Sequence, residues 1–133
     1  MFIWYNLIGD FMNYEKYLIS TKTIEIKKSK FIGYSFHVTN KEEIEEILTE
    51  LRKEHRKARH LPYAYKFDNN IKKSDDKEPA NTAGGPILNI IEKNNLNNIL
   101  IVVIRYFGGI KLGAGGLIRA YGNTAKEVIQ KEG

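Results

Sequence analysis

The run NILIVVIRYF, residues 98–107, decides the fold. It is an unbroken, largely β-branched stretch with no polar residue between Ile99 and Ile104. A strand without polar alternation belongs at the centre of a sheet, buried on both faces. The next stretch, GGIKLGAGGLIRAYG (108–122), holds six of the chain's eleven glycines. A helix is expected over 114–131, with Leu117, Tyr121, Ala125 and Val128 facing inward. Strand, glycine-rich loop and helix in that order form the general design of an anion cradle. The first N–H groups of a helix are unpaired and partly positive, and glycine lets another group approach them. The candidate anion-binding residues are Arg105, Gly108, Gly109, Lys111, Gly113, Gly115, Gly116 and Arg119, with His60 from an earlier strand. The spacing matches neither a P-loop nor the dinucleotide fingerprint. A second reading stays open, in which the glycines serve only tight turns and close helix–sheet packing.

Working outward, TKTIEIKKSKFIGYSFHV (21–38) alternates polar and apolar residues and reads as two strands joined near Lys28–Ser29. NKEEIEEILTELRKEHRKAR (40–59) is the clearest helix. Asn40 suits the N-cap, Ile44, Ile47, Leu48 and Leu51 form the apolar stripe, and the charges complement the helix dipole. HLPYAYKFD (60–68) reads as a strand, residues 69–85 as a polar loop and PILNIIEKN (86–94) as a helix with Pro86 in its first turn. The order β-β-α-β-loop-α-β-loop-α predicts an α+β two-layer sandwich, a mostly antiparallel sheet with helices on one face.

The 133 residues suit one domain with one main core. Residues 1–20 are taken as a leading segment and 21–133 as the domain. No cysteine is present, which excludes disulfides, a thiol nucleophile and thiolate metal sites. The leading stretch has no positive n-region, Asp10 interrupts its apolar run, and it is too short to span a bilayer. A cytoplasmic protein without membrane contact is expected. The formal charge of +5 favours anionic partners.

Three carboxylates, Asp75, Asp76 and Glu78, cluster in SDDKEPANTAGGP (74–86). They suit an ion network with Arg105, Lys111 and Arg119, or else acid–base chemistry or a divalent cation. RKEHRKARH (52–60) is the densest positive run, either a solvated helix end or a phosphate contact. His55 reads as solvated and His37 as a strand-surface residue, and no histidine spacing suggests a metal site. Tyr63 and Tyr65 share one strand face, for core packing or for stacking bases.

KKSKFIGYSFHV, ARHLPYAYKF, SDDKEPANTAGGPIL and IVVIRYFGGIKLGAGGLIRAYG together resemble the N-terminal domain of the IMPACT (YigZ) family, over roughly residues 21–128. The resemblance implies a two-layer α+β fold like that of a small-subunit ribosomal protein domain and the fourth domain of elongation factor G. It implies a link to translation control, and it does not imply an enzyme, catalytic residues or a cofactor. The matching positions are Lys30, His60, Tyr63, Tyr65, Asp75, Asp76, Glu78, Pro79, Thr82, Ala83, Gly84, Arg105, Tyr106, the loop glycines 108, 109, 113, 115 and 116, Lys111, Arg119 and Tyr121. Two positions depart from the family pattern, which usually has glycine where Lys77 and Asn81 stand. Bacterial members usually carry a further ferredoxin-like C-terminal domain, which these residues do not include.

Three functions are therefore carried forward. One is a translation-linked regulatory module that binds nucleic acid, such as RNA, or a ribosome-associated protein through the glycine-rich socket. The second is an enzyme or small-ligand binder for an anionic, phosphorylated metabolite. The third is a protein–protein adaptor.

Overall fold

The computed structural model describes residues 13–129. A short 3-10 helix, Asn13–Tyr17, leads into β1 (Leu18–Ile26), β2 (Ser29–His37), α1 (Lys41–Glu54), β3 (Tyr63–Phe67), β4 (Asn70–Ser74), α2 (Gly84–Lys93), β5 (Ile99–Tyr106) and α3 (Gly113–Glu127). The expectation that residues 1–20 form a leading segment falls largely outside the described residues. Within them, Tyr14 is buried in the core and β1 already begins at Leu18.

All strand pairs are antiparallel, in the order β1-β2-β5-β3-β4. β5 is the central strand, as its composition demands. Its side chains alternate between two cores. Leu100, Val102 and Ile104 join Tyr34, Phe36, Tyr63, Tyr65 and the α1 stripe Ile44, Ile47 and Leu51. Ile101 and Val103 join Phe31, Ile87, Ile91, Leu117 and Tyr121 from the α2/α3 side.

The α+β class and the antiparallel sheet stand, but the helices do not share one face. α2 and α3 cover one side and α1 the other. The reason lies in β5 itself, since a strand apolar on both faces exposes one of them unless each is covered.

The polar stretch 70–74, expected as loop, is strand β4. It is an edge strand whose residues are almost all exposed, so it lacks the apolar alternation that marks a half-buried strand. Helix α1 ends at Glu54, five residues short of the expectation, and the basic run 55–60 leaves it as turns and irregular chain. Its start follows the sequence closely: the Asn40 side chain accepts a hydrogen bond from the Glu43 N–H at 2.9 Å. Gly33 lets α3 lie close on β2, since a Cβ there would sit 2.8 Å from Thr124 Cγ2.

Candidate functional site: a basic cavity at the start of helix α3

The alternation along β5 puts Arg105 on the α3 face and Tyr106 on the α1 face. Arg105 is 6% exposed. Its Nη1 donates to both oxygens of Glu78, at 3.0 and 2.8 Å. Its guanidinium lies over the rings of Phe31 and Phe107, 5.7 and 5.3 Å from their centroids. The Tyr121 hydroxyl also donates to Glu78. Burial first, and then the Glu78 carboxylate, hold the Tyr121 phenol above its ordinary value, so it stays a donor.

His60 joins this group because it bridges to Arg105 in the sheet, where the Arg105 N–H donates to its carbonyl at 3.1 Å. His60 Nδ1 lies 3.1 Å from the Asp76 carbonyl oxygen. A carbonyl only accepts, so Nδ1 carries the proton and Nε2 faces Glu78, 3.7 Å from its Oε1.

The acidic loop divides its labour. Asp75 accepts from the backbone N–H groups of Asn81, Ala83 and Gly84 at 2.8, 3.1 and 2.8 Å, and so closes the start of α2. Burial pushes its pKa up, but these three donors outweigh burial and hold the carboxyl below its usual value. Asp76 accepts from the Leu61 N–H at 2.7 Å and pairs with Arg52. Of the expected ion network, only Glu78–Arg105 forms. Asp75 turns to backbone and Asp76 to Arg52, and among the described residues Lys111 and Arg119 form no salt bridge. Nor do three His, Asp or Glu side chains there group as metal ligands.

A cavity of about 380 Å³ opens beside the buried pair. Arg59, His60, Arg105, Lys111 and Glu78 supply its polar wall, and Pro79, Phe107, Leu112 and Leu117 its apolar one. Gly113 and Ala114, the first residues of α3, form its floor. Gly113 has φ +76°, a left-handed turn that brings the chain into the helix. The α3 N-cap, Leu112, has no side-chain acceptor and makes no capping bond, unlike Asn40 in α1. Arg105 Nε is fully buried and, among the described residues, has no hydrogen-bond partner.

The residues expected to form one socket divide between two depressions, and some line neither. Arg119, with Gly116, Lys27 and Asn123, lines a second one of about 210 Å³, and Leu112 borders both. Gly108 and Gly109 line neither. A Cβ at Gly108 would overlap the Lys28 backbone, so this glycine serves close approach between the loop and the β1–β2 turn. Gly115 also lies outside both, its nearest neighbour being Arg119.

Tyr63 and Tyr65 are 9% and 7% exposed, their rings stacked on each other, and they have no free face for a base. His55, expected in solvent, lies between two tyrosine hydroxyls, with Nε2 2.9 Å from Tyr34 Oη and Nδ1 2.7 Å from Tyr106 Oη. Its signal was the spacing: His55 follows Leu51 by four residues on the stripe of Ile44, Ile47 and Leu51, and its N–H still donates to the Leu51 carbonyl at 2.9 Å. His37 is exposed at the end of β2, as expected.

Comparison with known proteins places the chain. The Impact N-terminal domain model matches residues 27–129. The chain belongs to the Impact N-terminal domain family. It is 44% identical over 113 residues to an IMPACT family member, YvyE of Bacillus subtilis (strain 168), covering 83% of this chain and 52% of that one. One solved structure, described only as that of a hypothetical protein, superposes with a TM-score of 0.80 at 38% identity, covering 85% of this chain and 59% of the other. The two-domain translational regulator Yih1 superposes with a TM-score of 0.55 at 25% identity, covering 84% and 45%. The chain therefore spans about half the length of the curated relative. No helix among the described residues is long and apolar enough to cross a membrane.

Proposed function

We propose that this chain is a regulatory module of translation that engages RNA, or an RNA-bearing assembly such as the ribosome, through the basic cavity at the start of α3. The observation that carries the reading is the convergence there of Arg59, Lys111 and Arg105 with the uncapped first turn of a helix. Three cations face a single carboxylate, and that carboxylate is already bound to Arg105 and Tyr121. Such a site favours a phosphate oxygen over water. The similarity to the translational regulator Yih1 supports the biological setting.

The metabolite-enzyme reading loses ground because Asp75 and Asp76 are committed to the backbone and to Arg52. The test is binding of labelled single- and double-stranded RNA across a salt series. Log affinity should fall linearly with log salt, and Lys111→Ala should weaken binding and reduce the slope by about one phosphate contact. Absence of RNA binding at low salt would leave the adaptor reading in its place.

A further inference from the structure

The cavity is larger and less uniform than a phosphate requires. At about 380 Å³ it falls in the range of sites for small organic ligands, roughly 300–1,000 Å³. Its wall is also divided. Arg59, Lys111 and the first residues of α3 are basic or donor-rich, while Phe107, Leu112, Leu117 and Pro79 are apolar. Phe107 is 52% exposed and lines this cavity. The Arg105 guanidinium holds that ring from one side. The unpartnered Nε belongs to the same buried arginine, whose Nη1 is fully engaged by Glu78.

We infer that the cavity is a site for one phosphorylated nucleoside, with the phosphate on Arg59, Lys111 and the α3 amides and the base against Phe107. This rests on the anion-binding reading of the same cavity and adds the ligand's second half. An anion alone makes no use of the apolar wall, whereas a base has a π-face that stacks on an aromatic ring and beside a guanidinium. The nucleoside phosphate has two sources, a free nucleotide or one nucleotide of an RNA strand. The second depression separates them. Lys27 and Arg119 border it, it shares Leu112 with the first, and it would hold the adjoining phosphate of a strand, which a mononucleotide lacks.

The experiment compares three probes: inorganic phosphate and AMP by calorimetry, and a fluorescein-labelled single-stranded RNA ten-mer by anisotropy. The proteins are wild type, Phe107→Ala, Lys111→Ala and Arg119→Ala, each checked for a native melting transition. AMP should bind about tenfold more tightly than phosphate, and Phe107→Ala should remove that advantage while leaving phosphate binding unchanged. Lys111→Ala should weaken AMP and RNA alike. Arg119→Ala should weaken RNA only, if the strand is the source. Equal affinity for AMP and phosphate, or an AMP affinity indifferent to Phe107→Ala, would overturn the inference and leave a plain phosphate site, with the RNA reading intact. AMP bound through Phe107 but no RNA bound at low salt would uphold the nucleotide site and overturn the RNA reading instead.

Discussion

Glu78 is 7% exposed and accepts hydrogen bonds from two directions, from Arg105 of β5 and Tyr121 of α3. A charge placed this deep is tolerable only with partners, and removing one partner strands the other. Glu78→Gln keeps the shape but leaves the Arg105 guanidinium, already short of a partner at Nε, without its counter-charge. The expected loss is about 3–5 kcal/mol, read from the urea midpoint at constant m-value. A loss below ~1 kcal/mol would mean that solvent reaches the pair. The sequence put Arg105 and the acidic loop in one possible network, because opposite charges flanking glycine loops suggest a pairing. It did not say which carboxylate Arg105 would take. That choice depends on the β5 alternation and on the backbone donors that claim Asp75 first, and neither follows from residue type.

At the scale of elements, the loop between β4 and α2 is turned by three left-handed residues, Asp76, Lys77 and Asn81, with φ of +41°, +74° and +65°. Two of them are the positions where the family pattern usually has glycine. Asn81 fits this backbone with little strain, whereas Lys77 carries a Cβ and no local hydrogen bond to repay it. Lys77→Gly should relieve about 1–2 kcal/mol of strain, offset by about 0.5–1 kcal/mol of extra unfolded-state entropy. The net expectation is a Tm higher by a few degrees in a calorimetric scan, and a lower Tm would show that the Lys77 side chain contributes a contact of its own. The same loop shows why element boundaries were harder to read than elements. The start of α1 was legible because Asn40 lies next to the helix it caps. α2 is capped from nine residues upstream by Asp75, and β4 is held by pairing with β3 rather than by an apolar pattern. The covering of both sheet faces was implicit in residues 99–104, but α1 had to be assigned to a side, and helix periodicity alone does not say which.

Across the whole molecule, His55 ties α1 to β2 and β5 through Tyr34 and Tyr106. Burial lowers its pKa from 6.5, with Glu54 opposing the shift. Burial, helped by Glu54, also pushes Tyr34 up to about 12, so both phenols stay protonated. The neutral ring can donate through one nitrogen and accept through the other. A folded pKa below the unfolded one means that the unfolded chain binds more protons as pH falls past 6.5, so stability is full above that pH and declines below it. Denaturation midpoints between pH 8 and 5 should fall through this window in wild type, and more shallowly in His55→Gln. Parallel pH profiles for the two would show that His55 does not carry the effect. The depressed Asp75 adds a loss of the same sign at lower pH, as its carboxylate is protonated.

The strand order has a consequence in time. β2 and β3, neighbours in sequence across α1, never touch as a pair; each pairs with β5, whose last residue is Tyr106. A chain emerging from its N-terminus can close the β1–β2 and β3–β4 hairpins early, since their contacts are local. The two hairpins stay unjoined, each with an apolar edge bare, until the last strand threads between them. Folding must then wait on contacts of long sequence separation, which are slow to form. Until β5 has been made, the chain is two sticky ribbons awaiting one strip, and it is in that interval that it most needs shielding from other chains.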